Sequence, residues 1–157
     1  MGQTLHSTSD LASLSVADAM HDGVLTCSPR SPLADVARLM VSNRVHCVVV
    51  ADPSVAPALW GIVSDLDLVA AASVRELDGQ LAGGSAGTPA VTVSRDASLQ
   101  HAAQLMTEHL VAHLIVTDPS SDRPVGVLST FDVATALVAA AADKAHNQVS
   151  IRPLSSA

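Results

Sequence analysis

Apolar positions fall at helical spacing twice along this chain, and each time they lead into the same order of elements. Leu33, Val36, Ala37 and Met40 stand at i, i+3, i+4 and i+7, as do Leu99, Ala102, Ala103 and Met106. Each set predicts a helix with one apolar stripe. A short strand is predicted ahead of each helix, over residues 24–26 and 91–93. Ser31-Pro32 reads as an N-cap followed by proline in the first helical position, and Asp96 and Ser98 offer caps to the second helix. Each helix is followed by a run too apolar and too β-branched for a surface element, Val48-Val49-Val50 and Leu114-Ile115-Val116. These runs predict buried strands, which Asp52-Pro53 and Asp118-Pro119 end in turns. Gly61-Ile62-Val63 and Gly126-Val127-Leu128 predict the last strands. Ala-rich helices follow, over about 65–74 and 130–142.

The pattern is an internal repeat. At an offset of 66 residues, from Thr26 to Thr92, Leu33 meets Leu99, Ala37 meets Ala103, Leu39 meets Leu105 and Met40 meets Met106. Val50, Asp52 and Pro53 meet Val116, Asp118 and Pro119 in the same register. One residue is lost in the next turn, and Gly61, Ser64 and Asp67 then meet Gly126, Ser129 and Asp132. The predicted class is α/β (α+β), with two β-α-β-β-α copies over 14–76 and 89–143. A glycine-rich stretch, 77–88, reads as a flexible linker. Residues 14–20 are expected to pack against the first copy, with the linker standing where the second copy's counterpart would be. Residues 1–13 and 144–157 are expected to be flexible ends.

Composition narrows the function. With 48% hydrophobic and 15% charged residues, the chain can bury a core. Trp60 and Phe131 are its only aromatics, so a planar ligand would be gripped by aliphatic side chains. The net charge is −7 and the eight basic residues are scattered. This argues against a nucleic-acid surface and a polybasic membrane patch. Apolar runs stop short of a membrane span, the first ten residues lack a signal-peptide pattern, and two cysteines make no disulfide framework. A cytoplasmic protein is expected.

The chemistry worth following lies in Ser64-x-x-Asp67 and Ser129-x-x-Asp132. One reading is a capping box, in which Ser caps the helix and Asp reaches back to the cap's own amide. The other uses the same geometry for a ligand. A helix N-terminus offers free amides and partial positive charge to a phosphate. Ser adds a donor, and Asp can accept from two ribose hydroxyls. Gly61 and Gly126 leave room for a ligand near the backbone. Finding the set twice at matched places favours neither reading outright.

The repeat, the Leu-x-x-x-Ala-x-x-Met helix, the apolar strand ending in Asp and the Gly-h-h-Ser-x-x-Asp stretch (h, hydrophobic) together resemble a tandem pair of CBS domains, over about residues 16–140. The resemblance implies two units about a pseudo-two-fold axis, with clefts that commonly take AMP, ADP, ATP or S-adenosylmethionine. It implies a non-catalytic regulatory module that pairs into a homodimer. It carries a phosphate role onto Ser64 and Ser129 and a ribose role onto Asp67 and Asp132. The adenine side falls to Thr26, Ser28, Thr92 and Ser94. Two departures stand out. Cys47 and His113 occupy the places where ligand-binding members often carry a basic residue, and Val49 and Ile115 replace a frequent proline. His46 and His113 could supply charge, the latter only when protonated, since an imidazole titrates near about 6.5. AMP or S-adenosylmethionine therefore suits the chain better than a triphosphate. The second copy, with Ser129, Asp132 and His113, is the expected phosphate site. The alternative is a dimerisation or protein-interaction module whose clefts are empty.

Other constellations are weaker. His109 and His113 are four apart but lack a third metal ligand. Cys27 and Cys47 read as small core thiols. No nucleophile–base arrangement is apparent, and no catalytic residue or covalent cofactor is expected.

Overall fold

The computed structural model describes residues 9–52, 54 and 58–142. Two short helices open it, α1 (Ser9–Ser13) and α2 (Val16–Ala19), followed by β1 (His21–Asp22). The first unit is β2 (Thr26–Cys27), α3 (Leu33–Asn43), β3 (Cys47–Asp52), β4 (Ala58–Ser64) and α4 (Asp65–Val74). A one-turn helix, α5 (Ala82–Ser85), leads into the second unit: β5 (Thr92–Ser94), α6 (Leu99–His109), β6 (His113–Thr117), β7 (Pro124–Ser129) and α7 (Thr130–Ala142). This is the mixed α/β arrangement expected of the repeat. In each unit the first strand runs parallel to the middle one, and the middle strand is antiparallel to the last.

Local chemistry explains the ends of these elements. Ser98 caps α6, its hydroxyl accepting from the His101 amide at 3.2 Å. Ser31 does not cap α3. Its hydroxyl instead accepts from the Ser28 amide, and Pro32 takes the cap position. Both helices end on a residue in the left-handed conformation, Arg44 and Leu110, each with φ of 54°. The turns after β3 and β6 are closed by Asp52 and Asp118, whose carboxylates accept from the hydroxyls and amides of Ser54 and Ser120. Those hydrogen bonds hold both carboxyls below the usual range. Pro53, expected in the first of these turns, lies outside the described residues.

The segment ahead of each unit packs on the other unit. α2 joins the second unit's core, where Val16 is fully buried with Leu99, Leu114 and Leu128. α5 joins the first unit's core, where Ala82 is fully buried with Leu33, Val48 and Val63. The hydrogen bonds match pair for pair. Val16 N–H donates to Ala97 and Ala17 to Arg95, while Ala82 donates to Ser31 and Gly83 to Pro29. Two expectations are corrected here. Residues 14–20 pack on the second copy, and the glycine-rich stretch is no flexible linker but their packed counterpart on the first. Residues 9–13, expected to fray, form α1, with Leu11 against the second core. The rest of the expected flexible ends, 1–8 and 144–157, lies outside the described residues.

This exchange accounts for Gly61 and Gly126. A Cβ on Gly61 would stand 2.3 Å from the Gly87 carbonyl oxygen, and one on Gly126 would stand 2.3 Å from that of His21. The need for glycine thus comes from the crossing strap's own backbone. The strap after α2 pairs His21 with Val127, and the strap after α5 pairs Gly87 with Ile62.

Each sheet has two buried faces. Val48 and Val50 face the first core, and Leu114 and Val116 face the second. Cys47, Val49 and Ile115 alternate with them, belong to neither core and are also buried. Because Val16 belongs to the second core, Val16→Ala should cost about 2 kcal/mol of global stability in urea unfolding. A freely moving N-terminal segment would show no change.

Candidate functional site

Strand register sets one residue of the middle strand beside each Ser-x-x-Asp stretch. Cys47 pairs with Ser64 across β3 and β4, and His113 pairs with Ser129 across β6 and β7. Cys47 and His113 sit within the field of acids from both units: Asp65 and Asp132 act on the thiol, and Asp65, Asp67 and Asp132 act on the imidazole. Ser64, Asp67, Ser129, Asp132, Cys47 and His113 therefore gather around one centre. His46, exposed beside it, bonds Asp65 through Nδ1 at 2.9 Å. Thr26 and Thr92 pair with Val49 and Ile115, two residues along from Cys47 and His113, and Ser28 and Ser94 follow them just after β2 and on β5. The hydroxyls of Ser28 and Ser94 accept from the amides of Arg30 and Asp96, and both threonines are exposed.

The capping geometry is present at both copies. Ser64 donates from its amide and its hydroxyl to Asp67 Oδ2, each at 2.7 Å, and the Asp67 amide donates to Ser64 Oγ at 3.2 Å. Ser129 and Asp132 repeat this at 2.7, 2.7 and 3.1 Å. Ser15 and Asp18 make the same two bonds, each at 2.8 Å, at the start of α2, so Ser-x-x-Asp does not by itself mark a site.

The copies differ in the second carboxylate oxygen. Asp132 Oδ1 lies 2.9 Å from His21 Nε2, and Asp132 is buried. Asp67 Oδ1 has no hydrogen bond among the described residues. Asp67 also lines a cleft of about 380 Å³ with Ala70, Ala71, Val74, Arg75, Gln80 and Ser85. Gln80 holds that wall in place, its amide nitrogen lying among the carbonyls of Ala71, Arg75 and Glu76 at the end of α4. On the second unit α1 and α2 pack against α7, and Leu11, Leu14 and Ala19 join its core beside Ala136. The geometry thus favours the first copy over the second as the open site.

Electrostatics agree. Burial pushes the His113 imidazole below its ordinary value; Asp65, Asp132 and Asp67 pull it up, and His46 pushes it further down. It is neutral at pH 7 and brings no charge to a phosphate. Burial, with help from Asp65 and Asp132, pushes the Cys47 thiol up to about 11. Burial also raises Cys27, against a hydrogen bond from Ser31. Neither is a thiolate at neutral pH. Since His113 binds its proton more weakly folded than unfolded, its contribution to stability is present above about pH 6.5 and lost as pH falls. Urea unfolding at pH 7.5 and 5.5 should show that loss, and His113→Asn should reduce it.

Sequence reasoning missed His21, Arg75 and Gln80. The signal for His21 lay in the repeat, since the same offset of 66 residues carries His21 onto Gly87 and Val16 onto Ala82. His109 ends α6 and His113 begins β6, so they share no helix face. Among the described residues no three His, Cys, Asp or Glu side chains come together to hold a metal ion. Among them, too, no helix is long and apolar enough to cross a membrane.

Comparison with known proteins extends this picture. The CBS domain family model matches residues 16–74 and 86–139. The chain is 30% identical over 121 residues to the CBS domain-containing protein YhcV of Bacillus subtilis, covering 76% of this chain and 83% of that one. Among solved structures it is similar to CBS domain protein PAE2072 from Pyrobaculum aerophilum complexed with AMP, at 25% identity and a TM-score of 0.69, covering 82% of this chain and 99% of that one. It is also similar to CBSX2 in complex with AMP, at 26% identity and a TM-score of 0.63, covering 80% and 96%. Matched over both copies of its repeat, the chain belongs to the CBS domain family.

Proposed function

We propose that this CBS pair is a non-catalytic regulatory module that takes an adenosine-containing ligand, of the class of AMP, ADP, ATP or S-adenosylmethionine, in the cleft at Asp67. One observation carries this reading: Asp67 is held through Oδ2, while Oδ1 has no hydrogen bond among the described residues and Asp67 lines a cleft of about 380 Å³. A fixed carboxylate with a free oxygen suits a ribose hydroxyl. Two structural relatives solved with AMP support the same ligand class. Arg75 is the one cation in the described lining and His113 is neutral, so AMP should bind more tightly than ATP. Isothermal titration with AMP, ATP and S-adenosylmethionine tests the reading, and no heat from any of them at millimolar ligand sinks it. The chain would then be an interaction module with empty clefts.

A homodimer belongs to the same reading. Leu66 and Val69 on α4, and Phe131 and Val138 on α7, are each 66% exposed or more. Leu66 and Phe131 are matched positions of the repeat, so the apolar face is itself two-fold, as an isologous interface requires. Leu66→Asp combined with Phe131→Asp should give a folded monomer by light scattering, where the parent is a dimer. A cytoplasmic setting fits two free cysteines, one of them buried.

A further inference from the structure

Among the differences between the two copies is a matched pair of strap residues. The strap on the second unit carries His21 where the strap on the first carries Gly87, each over the glycine of its Gly-to-Asp stretch. Gly87 has no side chain to reach Asp67. His21 reaches Asp132 Oδ1 at 2.9 Å, the oxygen whose counterpart on Asp67 has no hydrogen bond among the described residues. We propose that His21 is the residue that makes the two clefts unequal. It occupies the carboxylate oxygen of Asp132 that a ribose hydroxyl would take, so the second cleft binds the adenosine ligand only after His21 lets go. This rests on the adenosine reading above and adds to it which cleft fills first and why.

Three features support an internal competitor rather than a passing surface contact. The His21 backbone is fixed by its pairing with Val127, the imidazole spans to the second unit's own acid, and that acid is buried while Asp67 is not. The His21 side chain is 79% exposed. Its hold is therefore weak enough for ligand to displace: one hydrogen bond to a carboxylate corresponds to about tenfold in affinity.

Isothermal titration with AMP tests this on the full chain, using the parent, H21A, H21G and H21Q, each alone and combined with D67A. The parent should show a tighter site, lost in D67A, and a second site at least ten times weaker. H21A and H21G should tighten the second site about tenfold, most clearly on the D67A background, where it is read alone. H21Q keeps a side-chain donor and should stay close to the parent. Melting temperatures within a few degrees of the parent establish that each variant is folded, and with two opening variants the result does not depend on one. Two equal sites in the parent overturn the proposal. So does a second site that H21A and H21G leave unchanged while D67A still abolishes the first, and in both cases the adenosine reading stands. Absence of binding in the parent and in every variant overturns both.

Discussion

Asp67→Ala should remove nearly all of the thermal stabilisation that AMP gives the parent protein. Ligand at about a hundred times its dissociation constant stabilises a folded chain by about 2.7 kcal/mol. For a chain of this size that is a rise in melting temperature of roughly 5–10 °C. A carboxylate accepting from ribose hydroxyls contributes about 1.5–3 kcal/mol per bond, so its loss weakens binding on the order of a hundredfold. At the same ligand concentration the remaining stabilisation is about 0.4 kcal/mol, a shift of roughly 1 °C. The variant also loses the bonds Asp67 makes to the Ser64 amide and hydroxyl, which lowers its own melting point by about 1 kcal/mol of stability. The shift must therefore be read against each variant's ligand-free baseline. Asp132→Ala gives the contrast. It removes a buried carboxylate with the same bonds and the His21 contact, and should lower stability at least as much while leaving most of the AMP shift intact. Equal AMP shifts in the parent and Asp67→Ala would remove Asp67 from the site.

Gly61→Ala should lower the melting temperature by roughly 5–15 °C, from a loss of about 2–4 kcal/mol. The added methyl would stand 2.3 Å from the Gly87 carbonyl oxygen, 3.1 Å from its carbon and 3.0 Å from the Thr88 methyl. Backbone stands in the way, so rotamer changes cannot relieve the contact. The strap must move, and the two bonds between Ile62 and Gly87 stretch or break. Gly126→Ala meets the His21 carbonyl at 2.3 Å and the Met20 methyl at 2.4 Å. The methionine end can swing aside but the carbonyl cannot. That variant should lose similar stability and also draw His21 away from Asp132, so it should tighten the second cleft where Gly61→Ala does not. Melting curves with and without AMP separate the two. A Gly61→Ala melting point within two degrees of the parent would show that the strap yields easily.

Much of this was readable along the chain. The helical stripes at Leu33 and Leu99, the strands at Val48 and Leu114, and the Asp52 and Asp118 turns obey local rules of spacing and capping. All of them appear where those rules put them. The reciprocal bonds of Ser64 with Asp67 and of Ser129 with Asp132 span three residues each and were equally legible. The straps were not. Residues 81–87 are rich in glycine and alanine and carry almost no hydropathy signal. Their place on the first sheet comes from hydrogen bonds to Ser31, Pro29 and Ile62, partners distant in the chain.

The sequence by itself determined the repeat, the order of elements in each copy and the capped acid at the end of each last strand. These depend on neighbours a few residues apart, and similar residues recur at matched places. Only the tertiary structure decided that each strap crosses to the other unit, that Gly61 and Gly126 yield to a carbonyl, and that the duplicated acids are unlike. Asp67 and Asp132 sit in the same local sequence setting. What separates them is the residue the opposite strap brings: His21 at one and Gly87 at the other, across 111 residues of chain in the first case.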